Sequence, residues 1–422
     1  MTVMKQRSIM PEIRIDPRRL LARLEALAQI GEIADGGVSR VALSDADREG
    51  RDQLVVWMRD AGLEVRIDRI GNIFGLRPGK EDLPSLMSGS HLDTVTEAGR
   101  YDGSYGVLAA LEVAETLNDH CIETRHPLAV VSFTNEEGVR YTPDMLGSLV
   151  YAGGLPLAEA LQIRGFDGSI LGEELRRIGY AGAVPCGEIA PAAYVELHIE
   201  QGPVLEQQGL TIGAVENLMG ICWQEITVRG QANHAGTTPT TLRRDAGLAA
   251  AKIVCFLRDL AEHFGETQRA TCGMLRFSPN AINVIPEQAV LSVDLRNSDA
   301  GQFRQAQQQL AAFLETLAAE DAVAIAAREL VNLDPVEFNP DIVTAILDSA
   351  VALSYPARRM TSGAGHDAQM MARICPTAMI FVPSRDGISH NPAEFTAPED
   401  LMAGANVLLR TLRKLDGGML NA

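Results

Sequence analysis

His91-Leu92-Asp93, followed closely by Tyr101-Asp102-Gly103, brings one imidazole and two carboxylates into a single short stretch. A donor set of nitrogen and carboxylate oxygen suits a divalent transition metal. The same residue types return along the chain. Glu136-Glu137 places two carboxylates side by side, and like charges that close need a cation or a proton to coexist. A metal ligand beside a general base is one solution, and two solvated loop glutamates are the other. His198 follows Glu196-Leu197, His366-Asp367 follows Gly363-Ala364-Gly365, and His390 follows Ser389. Of the eight histidines, His91, His198, His234, His366 and His390 stand among glycines or small residues. His120, His126 and His263 lie in polar stretches and read as structural or surface residues.

These groups need rigid elements to present them. Leu86 to Gly89 reads as the end of a buried strand, and Val107, Leu108, Leu111, Val113 and Ala114 continue from Gly103 as an apolar helix. Leu128 to Phe133 is a short apolar run, expected as a strand buried on both faces, that delivers Thr134 to Gly138. Ala193 to His198 alternates as a strand, and Ala378 to Pro383 forms another buried run before Ser384 to Pro392. Reactive residues at strand ends are where sites collect in α/β folds. Earlier in the chain, helices are expected over Asp16–Ile33 and from Ser44 to Gly62. Leu63–Ile67 and Asn72–Leu76 read as a hairpin. Shorter helices are expected over Leu157–Leu161 and Leu171–Ile178.

From Gly213 to about Ala327 the rhythm changes. Strand Ile221–Arg229, helix Leu242–His263, strands Thr271–Phe277 and Ala289–Arg296, helix Gln302–Leu317 and a strand from Val323 give the order βαββαβ. The expected architecture is α/β. A mainly parallel-sheet catalytic domain, residues 1–213 and 328–422, is interrupted by a lid or dimerisation domain over 214–327.

At 422 residues two domains are the natural expectation. A net charge of −18 argues against a nucleic-acid partner, since a polyanion would be repelled. No phosphate-binding glycine loop is present. The six cysteines are scattered without a CxxC pair, which fits reduced thiols in the cytoplasm. Met1–Arg14 lacks the apolar core of a signal peptide, and no apolar run reaches the roughly 18 residues of a membrane span. A soluble, cytoplasmic protein with no membrane partner is expected.

Taken in order, the motifs SHLDTV, GxYDGxxGV, FxxEEGxR, ELHIEQGPxLE, GxANHAGTTP, AGHDA and PSxxGxSHxP resemble those of the M20-type metallohydrolases. Within them the chain is similar to the amidase/hydantoinase/carbamoylase branch, which holds N-carbamoyl-L-amino acid hydrolases, β-ureidopropionases and allantoate amidohydrolases. The likeness runs from about Leu20 to Leu412. His198, where peptidase-type relatives often carry Asp, favours this branch. The resemblance implies two divalent ions per subunit (zinc, manganese, cobalt or nickel) bridged by Asp102. His91 and His390 match terminal ligands, and Glu137 and His198 match ligands of the other side. Glu136 matches the general base, and Asp93 the carboxylate that fixes the tautomer of a ligand histidine. His234 matches a residue that polarises the scissile carbonyl, from its own chain or across a subunit interface. Asn283 and Arg296 match holders of the substrate carboxylate, while Gln201, Gly365 and His366 match further substrate contacts. The implied reaction is hydrolysis of a linear ureido group on a small carboxylate, foremost an N-carbamoyl-L-amino acid, by a homodimer joined through the inserted domain. Allantoate, ureidoglycolate or β-ureidopropionate are alternative substrates. An aminoacylase-type peptidase and a non-catalytic binding protein are less favoured.

Overall fold

Every residue of the expected strand before His91 is buried, and so is every residue of the one before Thr134. They belong to a computed structural model that describes residues 13–418. Most of the stretch Met1–Arg14 expected to lack a leader lies outside that range. Two units divide the chain: Met1–Glu216 with Phe338–Met360 and Gly365–Ala422, and Asn217–Glu337 with Thr361–Ala364. The inserted unit closes at Glu337, later than the boundary at 327, because its last long strand continues to Leu333.

The first unit contributes β1 (Glu64–Ile67), β2 (Ile73–Arg77), β3 (Ser85–His91), β4 (Leu128–Phe133), β5 (Pro191–Ile199) and β6 (Ile212–Leu218). The second contributes β7 (Gly220–Arg229), β8 (Asn233–His234), β9 (Gln268–Thr271), β10 (Leu275–Ser278), β11 (Val284–Ile285), β12 (Gln288–Asn297), β13 (Ala324–Leu333) and β14 (Val336–Glu337). The chain then adds β15 (Ala357–Ser362) and β16 (Thr377–Val382).

In the first unit the strands run β1-β2-β4-β3-β5-β16-β6. β1 and β2 form the expected antiparallel hairpin. β4, β3, β5 and β16 are mutually parallel, with His91 beside Phe133 and His198 beside Phe381. Four neighbouring strands therefore end on the same edge of the sheet. Parallel strands are covered on both faces, which is why nearly every residue of these segments is buried rather than every second one. The helix Ser104–Asp119 packs on β3, β4 and β5, and the helix Pro398–Asp416 packs on it and on β16. Buried Glu112 on the first of these would be costly alone. Arg19 neutralises it, with Nε 2.6 Å and Nη2 2.8 Å from its carboxylate oxygens. Asp16 accepts from the N–H groups of Arg18 and Arg19, and Ser44 from that of Asp47, capping the helices Pro17–Ala28 and Asp45–Asp60.

The second unit is an antiparallel sheet in the order β10-β12-β7-β13, with β9 also on β12. Along β12 alternate residues Ala289, Leu291, Val293 and Leu295 are buried. They pack with the apolar stripes of helices Ala246–Phe264 and Ala300–Glu320. The strand expected over Thr271–Phe277 is broken in two, because the Met274 N–H bonds the Ser292 hydroxyl rather than a backbone carbonyl. β8 and β11 pair as a separate two-stranded ribbon.

Candidate metal centre

β3 ends on His91, and β4 leads directly to Glu136 and Glu137. His198 is the penultimate residue of β5, and the loop after β16 carries Ser389 and His390. Asp102 precedes the helix Ser104–Asp119. The parallel order draws these segments together around the Asp102 carboxylate. Its Oδ1 lies 3.2 Å from His198 Nε2 and 3.5 Å from His91 Nε2, and its Oδ2 lies 3.3 Å from His390 Nε2. Glu137 Oε2 is 3.4 Å from His390 Nε2, and Glu136 Oε2 is 3.4 Å from His91 Nε2. Two trios result, His91 with Asp102 and His198, and Asp102 with Glu137 and His390. Within each trio the ligand atoms lie within 4.8 Å of one another. The motifs left the division of ligands between two ions open; here His91 stands with His198, and Glu137 with His390.

One carboxylate shared by two nitrogen/oxygen trios is the donor arrangement that a pair of divalent cations requires. Glu137 Oε1 and Gln201 Oε1 are buried without a hydrogen-bond partner. Oxygen atoms that lack donors fit a site meant for cations.

Several contacts hold the ligands in place. His91 Nδ1 is 2.9 Å from the carbonyl of Asp93, so the tautomer role expected of the Asp93 carboxylate falls to its main chain. That carboxylate instead accepts the N–H groups of Glu136 (3.2 Å) and Glu137 (3.3 Å) and so orients the glutamate pair. His198 Nδ1 meets the Ile199 carbonyl at 2.9 Å, which turns Nε2 toward Asp102. Buried Arg40 ties the segments together by donating to the Leu92 carbonyl and the Ser104 hydroxyl, each at 2.8 Å. Asn135, Gln201 and His390 adopt left-handed backbone with φ of 56°, 57° and 52°. Such conformations persist in non-glycine residues where surrounding contacts enforce them.

The electrostatics follow from crowding carboxylates in a buried space. Burial, and then Asp102, push Glu137 up to about 8. Burial together with Asp367, Glu137 and Asp102 pushes Glu136 well above the ordinary range, against the pull of His91. Burial opposes the charge of Asp102 too, yet contacts with His198, His390 and His91 hold it well below its usual value. Contact with Asp102 raises His390 to about 9. His366 is held well below the usual imidazole value by burial and by the neighbouring His198, 4.6 Å away between ring centroids.

The expected substrate residues fall in both units. In the first, Gln201 donates its amide to Asp102 Oδ2 at 2.8 Å, and His366 stands immediately before the short helix Asp367–Met371 with its ring against that of His198. A Cβ on Gly365 would meet Met145 and Gln369 Oε1. In the second, β8 and β11 bring His234 and Asn283 together: Ala235 N–H donates to the Asn283 carbonyl at 2.9 Å. Gly236 N–H donates to His234 Nδ1 at 3.0 Å, so in the neutral ring Nε2 carries the proton and is a donor. Arg296 makes its contacts elsewhere, with Asp294 through Nε and Nη2 and with the Gly363 carbonyl through Nη1 at 2.6 Å. Arg40, Ser389 and Glu394 belong to the site and were not singled out from sequence. Ser389 and Glu394 flank His390, and that proximity was the available signal.

The family model for peptidase family M20/M25/M40 matches residues 87–414. An N-carbamoyl-L-amino acid amidohydrolase of Geobacillus stearothermophilus is 41% identical over 409 residues, covering 96% of this chain and 100% of that protein. An allantoate amidohydrolase of Bacillus subtilis is 34% identical over 395 residues, covering 93% of this chain and 96% of that protein. The crystal structure of an amidase of the hydantoinase/carbamoylase family from Burkholderia multivorans superposes with a TM-score of 0.93 at 45% identity. It covers 96% of this chain and 98% of that one.

Proposed function

The chain belongs to peptidase family M20/M25/M40, and on that footing we propose that it hydrolyses the linear ureido group of a small N-carbamoyl carboxylate. An N-carbamoyl-L-amino acid is the foremost substrate, and one water converts it to the amino acid, ammonia and carbon dioxide. The observation that carries this reading is Asp102 shared between two ligand trios with Glu136 alongside. The carbamoyl-amino-acid amidohydrolase that matches over its full length supports it.

His91, Asp102 and His198 would hold one divalent cation, and Asp102, Glu137 and His390 a second, drawn from zinc, manganese, cobalt or nickel. When bound, such a pair polarises the carbonyl and makes water acidic enough to attack near neutral pH. Glu136 accepts the proton of the attacking water and returns it to the departing nitrogen. A carboxylate whose burial favours its protonated form is suited to hold that proton between the two steps. Asp93 keeps Glu136 and Glu137 oriented through their N–H groups. His234 offers Nε2–H to the developing oxyanion. Asn283 and Arg296 take the substrate carboxylate, and Arg296 is the local cation that a chain of net charge −18 needs for an anionic substrate. Gln201, Gly365 and His366 supply further substrate contacts. The inserted unit acts as lid and as the contact of a homodimer, a reading that rests on its forming a unit with a core of its own. His234 serves a site either in its own chain or across the dimer interface. Six free cysteines accord with a cytoplasmic location.

Allantoate is the second reading, favoured by the matching allantoate amidohydrolase; it too presents a ureido group and a carboxylate. The test strips the protein of metal and restores manganese, cobalt or zinc. It then measures ammonia from N-carbamoyl-L-methionine, N-carbamoyl-β-alanine, allantoate and N-acetyl-L-methionine, with Glu136→Gln as control. Metal-dependent turnover of the first, abolished in the control, is the expected result. Turnover of the acetyl compound alone would refute the ureido assignment.

A further inference from the structure

We infer that Glu394 is a positioning residue of the metal centre, locking the loop that carries Asp102 to the loop that carries His390. The inference rests on reading the site as a metal centre. Asp102 and His390 are far apart in the chain, yet they approach within 3.3 Å and share a trio with Glu137. Something must hold the two loops in that register, and the Glu394 carboxylate is placed to do it. It is 4% exposed. Its Oε1 accepts the N–H groups of Tyr101 (2.9 Å) and of Asp102 itself (3.3 Å), and its Oε2 accepts the hydroxyl of Ser389 at 2.9 Å. Two donors thus come from the first loop and one from the second.

The link reaches the ligands directly. Ser389 immediately precedes His390, and its Oγ lies 3.1 Å from Asp102 Oδ2, the oxygen that also faces His390. Glu394 therefore sets the main chain of Asp102 on one side and, through Ser389, touches its carboxylate on the other. The backbone around it is shaped for this contact. A Cβ on Gly99 would lie 2.2 Å from Glu394 Oε1, so only glycine lets the turn before Asp102 close against the carboxylate. His390 sits at φ 52°, a strained conformation that persists when neighbouring contacts enforce it. On the far side the Arg385 guanidinium lies 3.7 Å over the ring of Phe395, fixing the residue next to Glu394. Outer groups that orient ligands in this way typically govern metal affinity by about 10–100-fold.

The test uses the full-length protein and the variants Glu394→Ala, Glu394→Gln and Ser389→Ala. Cobalt(II) binding is measured by competition with a chromophoric chelator, and kcat and KM are measured at saturating metal. Glutamine keeps an oxygen for the two N–H groups, and its NH2 can donate to Ser389, whose proton then turns to Asp102. Glu394→Ala is expected to weaken cobalt binding by about 10–100-fold, Glu394→Gln by no more than about threefold, and KM to hold within about twofold in both. An alanine variant that binds cobalt like the parent overturns the inference, and so does a glutamine variant as weak as alanine. If the alanine variant does not fold, Ser389→Ala decides: several-fold weaker binding supports the link, and unchanged binding overturns it. Cobalt binding needs no substrate, so the inference survives a parent that binds metal but hydrolyses no ureide. A parent that binds no cobalt overturns it.

Discussion

Replacing Gly103 with alanine displaces one metal ligand by a calculable amount. Gly103 has φ +61° and ψ −52°, and a Cβ there would lie 2.4 Å from both Cε1 and Nδ1 of His91 and 2.5 Å from Nε2. Non-bonded carbon atoms settle at about 3.5–4.0 Å, so the ring must retreat by roughly 1 Å. It cannot do so freely, because Nδ1 is held 2.9 Å from the Asp93 carbonyl. Backbone strain adds about 1–3 kcal/mol for a side chain in that conformation. A shift of about 1 Å in a reacting constellation costs on the order of a hundredfold in rate. Gly209→Ala is the control. Its φ is +63°, yet nothing lies within 4 Å of the added Cβ, so it carries only the left-handed penalty of about 1–2 kcal/mol. Both variants are to be compared by urea unfolding, by cobalt titration of chelator-stripped protein and by ammonia release. Gly103→Ala should lose about a hundredfold in kcat/KM and bind cobalt more weakly, while Gly209→Ala keeps both. If the two lose the same stability and Gly103→Ala keeps its metal affinity and rate, the crowding argument is wrong.

Three further outcomes are expected. In chelator-stripped protein, Glu137 titrates in the folded state at about 8 and His390 at about 9, above their ordinary values of 4.5 and 6.5. Groups raised in this sense stabilise below their unfolded values and lose that contribution as pH climbs through the folded ones. The melting temperature of the stripped protein should therefore fall from about pH 5 to about pH 9, most steeply between about pH 6.5 and 8 where both groups contribute, and a flat or rising curve in differential scanning fluorimetry would contradict the site's electrostatics. Arg296→Lys keeps the charge and loses the fork. A hydrogen bond to a charged group is worth about 1.5–3 kcal/mol, so steady-state kinetics should show KM up by about 10–150-fold with kcat little changed, and an unmoved KM would remove Arg296 from the clamp. Finally, His234→Ala and Glu136→Gln subunits refolded together at equal amounts should recover about a quarter of the parental activity if His234 serves the partner's site. No recovery in mixed dimers would place its action within one chain.

The strands that carry the site were readable because their signal is local. Leu128–Phe133 and Thr377–Val382 are largely apolar and buried at every position, and their short length and β-branched or aromatic residues favour a buried strand over a helix. The helix starts near Asp16 and Ser44 were equally legible. Elements without such patterning were not foreseen: the helix Leu146–Tyr151 after the glutamate pair, and β6, β15 and the ribbon of β8 and β11. The Asp294–Arg296 pair could have been read, since residues two apart on a strand share a face.

Sequence by itself determined which donors exist and that each follows a buried strand or opens a helix, because residue type and periodicity are properties of neighbouring positions. Only the tertiary structure decided that His91 joins His198 while Glu137 joins His390. It also decided that Asp93 acts on His91 through its carbonyl, and that Glu394 secures Asp102. Those relations are distances between atoms brought together by the sheet order β4-β3-β5-β16 and by hydrogen bonds between remote loops. No local pattern encodes them.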